Sequence, residues 1–369
     1  MRLSSFQKSI TLTMLVSIFT LSNCVHVKLT NKDHQQIHTI IENANKDFYL
    51  DSRIWYQDVQ AEINGNQIIL TGQAFYSTPI KGIARKLKKA NLEYDLVDSI
   101  TYLPEKSLGD LPYGIITKPY IMGRYKPVDH KQEGTEMLYG EPVRLIRQEG
   151  KYLQVQSAVG YLGYIPEKSL RRISQQEWNR YHIGKQAVFT NNDTLESGLV
   201  MLMGTRLPYL ENGSLLMADG SELQYESDKY SVVDAAANPL RQDIIATAQE
   251  YLGLPYVWGG RSADGVDCSG FVMQSYSINN IYLPRDSDEI ANTGRIVAYP
   301  GWFDAMLAGD IIFFVGSRRM ITHTGIYMGD GKFIHSLGKG VQIQSLNPED
   351  PDYSEGHVKR FAFAKRIFD

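Results

Sequence analysis

The stretch GVDCSGFVMQSY, residues 265–276, holds the only cysteine in the 345 residues that follow Cys24. From Ser269 onward its apolar residues have helical spacing, which predicts a helix with Cys268 at or just before its N-terminus. Exposed amides and the helix dipole at such a position favour a thiolate over a thiol, and the thiolate is the nucleophile. A chain with so few cysteines therefore places one where it is chemically useful.

A cysteine nucleophile needs a base, and the base needs something to hold it in one orientation. Of the eight histidines, two are well placed. His323 in ITHTGIYMG and His335 in KFIHSLG lie in alternating segments joined by the Gly-Asp-Gly turn at 329–331, which predicts an antiparallel hairpin. Neighbouring strands are only ~5 Å apart, so two imidazoles on one face stand in series. Cys268, His323 and His335 also fit a metal site on paper, but nothing supplies a fourth ligand at zinc-site spacing. Neither metal nor cofactor is expected.

Upstream, NPLRQDIIATAQEYLGLPYVWGG predicts a helix capped by Asn238, with Pro239 in its first turn and Gly253 at its end. Its apolar face is Ile244, Ile245, Ala248 and Leu252. Asp286 and Glu289 have capping-box spacing. Asp310 in AGDIIFF stands in the turn before a buried strand, and Trp258 and Trp302 are packing residues or groove walls.

The remaining chain divides by pattern. HQQIHTIIENANKDFYL predicts an amphipathic helix, DVQAEINGNQIILTGQAFY a hairpin turning at Asn64-Gly65, TPIKGIARKLKKANLEY a basic-faced helix, and YDLVDSITYL a further strand. From about 111 to 235 short strands separated by Gly, Pro and Asn take over. Arg2 and Lys8 precede an uncharged apolar run too short to span a bilayer comfortably, which predicts an export signal over 1–23.

Composition agrees with a folded, multidomain chain. At 369 residues, with 43% hydrophobic and 21% charged side chains, it is long enough for two to four domains. The formal charge of −3, or −5 once Arg2 and Lys8 leave with the signal, gives no reason to expect nucleic acid. Two cysteines exclude a disulfide framework.

The motifs YVWGGRSADGVDCSGFV, LPRDSDEIA, AGDIIFFV and HTGIYMGDGKFIHS resemble, in order and spacing, the signatures of the NlpC-type papain-like cysteine peptidases that cut bacterial cell-wall peptides. The resemblance covers about 240–369. It implies that Cys268 is the nucleophile, His323 the general base, and His335 the residue that orients His323. It also implies that Tyr256 helps hold the oxyanion. TEMLYGEPVRLIRQEGKYLQVQSAVGYLGYIPEKSL resembles a bacterial SH3-like domain in which Tyr164 stands where a Trp is usual, and a second such unit follows. LSNC at 21–24 resembles a lipobox, which implies lipidation at Cys24.

The fold expected is multidomain α+β. A signal (1–23) precedes an N-terminal α+β unit (24–110), two SH3-like β-barrels (111–175 and 176–237) and a C-terminal papain-like α+β catalytic domain (238–369). Relatives of this architecture resemble endopeptidases that cut between γ-D-glutamate and the diamino acid of murein stem peptides, with the first barrel closing one end of the groove. A closed end implies a free L-alanine amine on the substrate. Asp286 matches the position that binds that ammonium, with Ser287 and Ser269 beside it, and Glu141 and Tyr161 are candidates from the first barrel. Asp267 is either a substrate contact or the cap of the catalytic helix, and Asp286 either a binding residue or a cap. The partners implied are murein stem peptides, with wall polymer or membrane through a lipid anchor, and the implied location is the cell envelope. The same triad suits an amidase or acyltransferase, whereas a non-catalytic wall binder would need only the SH3-like units.

Overall fold

Residues 321–337 fold as the expected hairpin. Ile321–Gly329 pairs antiparallel with Lys332–Leu337, setting Ile326 opposite Ile334. The turn needs left-handed backbone at Gly329, Asp330 and Gly331, which explains the glycines there. Four more strands complete a six-stranded antiparallel sheet in the order Arg295–Ala298, Phe361–Arg366, Ile311–Val315, Ile321–Gly329, Lys332–Leu337, Gly340–Ser345.

The computed structural model describes residues 30–48, 51–65, 67–90, 94–128, 133–234, 240–262 and 264–369. The export signal, Cys24, Asn238 and Pro239 lie outside the described residues.

The helix Cys268–Ile278 lies against the sheet and buries Phe271, Val272 and Tyr276 with Phe313, Ile326 and Ile334. Each such side chain contributes ~1.5–3 kcal/mol on leaving water. The helix sits tightly on the loop before it, because a Cβ at Gly270 would come within 2.2 Å of the Gly260 carbonyl oxygen. Only glycine allows that approach. The upstream helix, Arg241–Gln249, adds Ile244 and Ala248 to the same core. Leu252 lies beyond its end and is exposed, and Tyr251 fills the core in its place.

The N-terminal unit follows the expected order. Gln57–Asn64 and Gln67–Ala74 form the hairpin, Asp95–Asp98 and Thr101–Tyr102 pair parallel with its second strand, and the helices Asn31–Phe48 and Thr78–Lys89 cover it. No helix among the described residues is long and apolar enough to cross a membrane.

The central region differs from two closed barrels. Seven strands between 113 and 173 form one sheet whose path runs from Leu170–Ile173 to Glu133–Leu138, with no ladder joining its ends. Between 186 and 233 the strands are two to four residues long and fall into three small sheets, preceded by the helix Gln175–His182. Strands this short cannot enclose a core alone. Ile115, Tyr139 and Ile173 of the first region share a cluster with Phe189, Leu207 and Leu216 of the second, while Val188 and Met203 join the catalytic core. The central region is thus packed to its neighbours through shared apolar side chains.

Candidate active site

Cys268 is the first residue of its helix, and Asp267 caps it by accepting from the Gly270 amide at 2.6 Å. The thiol is buried and lies against the backbone amide of Thr324, the residue after His323. Burial pushes the thiol up to about 12, and the Asp267 carboxylate adds to the rise. The helix-end amides therefore do not yield a resting thiolate, because desolvation outweighs them in the substrate-free state.

The imidazoles stand in series as the hairpin required. His323 Nε2 lies 2.8 Å from His335 Nδ1, and His335 Nε2 lies 3.0 Å from Gln344 Oε1. A neutral imidazole carries a single N–H, so the amide oxygen of Gln344 fixes the whole chain. His335 donates from Nε2, accepts at Nδ1 the hydrogen of His323 Nε2, and leaves the lone pair of His323 on Nδ1. That lone pair is what a general base requires. Gln344 reaches His335 from the next strand, Gly340–Ser345. Burial is the largest cause of the lowered pKa values of all three rings here, with His323 well below its usual value, His335 at about 3 and His357 at about 4. Phe314 and Phe333 form the dry wall around them. Burial thus favours the neutral thiol and the neutral imidazoles in the substrate-free site.

His357 is a third imidazole that sequence spacing did not reveal. It comes from the short Glu355–Val358 helix, with ring centroids 5.5 Å from His323 and 4.8 Å from His335. The donor atoms of the three rings lie within 4.8 Å of one another, so these residues, and not Cys268 with two histidines, form the cluster able to offer three nitrogens to a metal. His323 and His335 spend two of those atoms on each other.

Asp267 resolves toward its capping role. Its oxygens accept from the Gly259 and Gly270 amides and from both Nη atoms of Arg285 at 2.8 and 3.0 Å, so it has no side left for substrate. Ser269 is likewise engaged, accepting from Arg285 Nη1 at 3.1 Å. Arg285 is only 1% exposed. It ties the catalytic helix to Thr135 of the central sheet, and nothing in its spacing marked it. Glu141 pairs with the buried Arg261 and accepts from the Leu138 and Ala158 amides. Glu136 holds the loop before Cys268 by accepting from the Arg261 amide at 2.7 Å and the Ser262 hydroxyl at 2.7 Å.

Asp286, Ser287 and Tyr161 do come together. Asp286 precedes the one-turn helix Ser287–Ile290, in which Ser287 is buried, and its amide donates to Glu289 at 3.2 Å. Tyr161 donates to Glu289 Oε2 at 3.0 Å, and burial together with the Asp286 charge raises its pKa. A cation already faces this group. Arg53, from the N-terminal unit, donates to Asp286 Oδ2 at 2.5 Å and to both oxygens of Asp288 at 2.9 Å, while Asp51 accepts from its other side. Tyr256 is half-buried, and burial raises its hydroxyl pKa, with the Asp267 and Asp286 carboxylates adding to the rise.

Residues 253–358 match the model of the NlpC/P60 family. The chain is 31% identical over 229 residues to the gamma-D-glutamyl-L-lysine dipeptidyl-peptidase of Bacillus subtilis (strain 168), covering 58% of this chain and 75% of that protein. It is 28% identical over 257 residues to the protein of the same name from Bacillus cereus, covering 63% and 74%. Among solved structures it is similar to an NlpC/P60 family protein from Bacillus cereus (TM-score 0.60, 24% identical, 70% of this chain and 100% of that one). A second is an NlpC/P60 endopeptidase from Photobacterium damselae subsp. piscicida (TM-score 0.55, 16% identical, 93% and 85%). These two structural likenesses speak to the fold.

Proposed function

The chain belongs to the NlpC/P60 family and is a cysteine peptidase, and on that premise we propose that it hydrolyses the bond between γ-D-glutamate and the diamino acid of murein stem peptides, acting on stems whose L-alanine amine is free. The observation that carries this reading is the acidic group of Asp286 and Glu289 with Tyr161, joined to the catalytic helix by Arg285, which lies 4.0 Å from Asp286 Oδ1 and donates to Asp267 and Ser269. An ammonium entering a partly dry pocket needs such a partner, since an unpaired buried charge is costly.

In the proposed cycle His323 Nδ1 takes the thiol proton as Sγ attacks the γ-carbonyl carbon, and Tyr256 with the Cys268 amide stabilises the oxyanion. The amine of the diamino acid leaves with that proton, and water, deprotonated by the same imidazole, cleaves the thioester. The Bacillus relatives are dipeptidyl-peptidases by name; the same action here releases the dipeptide L-Ala-γ-D-Glu. We further propose that residues 111–175 and 176–237 are SH3-like modules, the first of which closes the amine end of the groove.

Substrate preference tests the reading. Wild type is expected to cleave L-Ala-γ-D-Glu-diamino acid and to reject its N-acetylated form. Asp286→Asn is expected to raise KM for the free amine about 10- to 100-fold, the loss of one charge-assisted hydrogen bond, in a protein that still folds. Arg53→Gln, which frees Asp286, is expected to lower KM. Equal cleavage of free and acetylated peptide by wild type would overturn the amine requirement.

Export and lipidation at Cys24 belong to the same proposal. The protein is expected to partition with membranes when processed, and Cys24→Ser to release it. An unchanged distribution in fractionated cells would exclude a lipid anchor at that residue.

A further inference from the structure

A cavity of about 390 Å³ lies where the central region meets the catalytic unit, away from Cys268, with walls that include Leu138, Val159, Gln186, Arg206, Arg261 and Tyr282. Its volume is in the range of small-molecule sites. Its chemistry is unbalanced. Arg206 makes one hydrogen bond, from Nη2 to the Ser277 carbonyl near the end of the catalytic helix, and its plane lies 5.2 Å from the Tyr282 ring. Its Nε and Nη1 are buried without a hydrogen-bond partner, and so is Nε2 of Gln186 in the same wall. The guanidinium pairs with no carboxylate among the described residues, and burial depresses its pKa.

The carboxylates nearby are engaged elsewhere. Glu141 pairs with Arg261, and Glu136 behind it accepts from the Arg261 amide and Ser262. Neither pairs with Arg206, which keeps its positive charge with three unused donor atoms around it. A desolvated guanidinium without a counterion is costly, and an unmade hydrogen bond at a buried donor adds to that cost. Proteins rarely hold both in one cavity without something to satisfy them.

We propose that this interdomain cavity is a binding site for a small monocarboxylate, whose charge balances Arg206, whose oxygens accept from Arg206 and Gln186, and whose apolar body lies against Leu138 and Val159. One negative charge matches the one unpaired guanidinium better than the dianion of inorganic phosphate. Because Arg206 also holds the Ser277 carbonyl, the bound carboxylate would fasten the central region to the end of the catalytic helix.

The test is isothermal titration of the full-length protein with acetate, isovalerate and inorganic phosphate at constant ionic strength, paired with unfolding midpoints. Wild type is expected to bind isovalerate more tightly than acetate, and both more tightly than phosphate. Arg206→Met is expected to weaken isovalerate on the order of 10- to 100-fold, and Gln186→Leu to weaken it less. A structural role alone predicts a lower unfolding midpoint for Arg206→Met in every buffer. The proposal predicts a crossing: without carboxylate Arg206→Met unfolds at or above the wild-type midpoint, because an unpaired buried charge is gone, and with isovalerate wild type overtakes it. Failure of isovalerate to stabilise wild type more than both variants, or an equal response to phosphate, would overturn the proposal.

Discussion

Cys268→Ala is expected to lower kcat on stem peptides by at least ~10⁴-fold, as loss of a nucleophile does in enzymes of this logic, while the unfolding midpoint stays near that of wild type. The thiol fills little volume and makes no side-chain hydrogen bond on which the fold depends, so the loss is chemical. His323→Ala is expected to be comparably inactive. Two further readouts follow from the protonation states. With the thiol pushed up to about 12 by burial, iodoacetamide at neutral pH labels the substrate-free enzyme more slowly than an ordinary cysteine of pKa ~8.5. The base must be neutral to act, and the pKa of His323 lies well below 6.5, so kcat/KM stays level as the pH falls through 6.5 and declines only below it. Fast labelling at pH 7 would show an ion pair in place of the neutral couple, and a rate that halves near 6.5 would show a base of ordinary imidazole pKa. Chelators are expected to leave the rate unchanged; loss in EDTA with recovery on adding zinc would turn attention to the three-histidine cluster.

Arg285→Met is expected to cost ~3–5 kcal/mol of stability, the usual penalty for removing one partner of a buried ion pair. The guanidinium makes bonds to Asp267, Ser269 and Thr135 while almost wholly out of water. Without it the Asp267 carboxylate is left charged beside the nucleophile, held by the Gly259 and Gly270 amides and the Ser269 hydroxyl. The double variant Arg285→Met with Asp267→Asn removes both charges and is expected to recover much of the loss. Urea unfolding of the four proteins measures the coupling; a single variant within about 1 kcal/mol of wild type would mean that the pair does not hold the catalytic helix.

These two sites mark how far local pattern reaches. Cys268, His323 and His335 were legible because each requirement is short-ranged: a helix start beside a cysteine, and a tight turn that sets two alternating strands in register. The N-terminal hairpin was legible for the same reason, although its turn falls one residue later than Asn64-Gly65, because Asn64 still pairs with Gln67. Gln344, His357 and Arg285 were not. Gln344 acts diagonally from a third strand, His357 arrives on a one-turn helix after a reversal of the chain, and Arg285 reads as an ordinary surface residue until three elements close over it. The partner of Glu141 was not legible either, because no pattern announced the burial of Arg261. The central strands were counted well and their closure poorly. Gly and Pro punctuation gives strand ends, but whether a sheet closes depends on pairings between distant segments, and the shared clusters across 115–218 and 188–341 let the region bury its apolar faces without closing. Arg53 was invisible for the same reason, lying 233 residues from the aspartate it meets.

The measurement that bears most directly on the central claim is mass spectrometry of the products from L-Ala-γ-D-Glu-diamino acid stems, prepared with either L-lysine or meso-diaminopimelate and incubated in parallel with wild type and Cys268→Ala. The account predicts L-Ala-γ-D-Glu and a fragment carrying a new free amine on the diamino acid, from wild type alone. Scission at any other bond, or the same two products from Cys268→Ala, would contradict it.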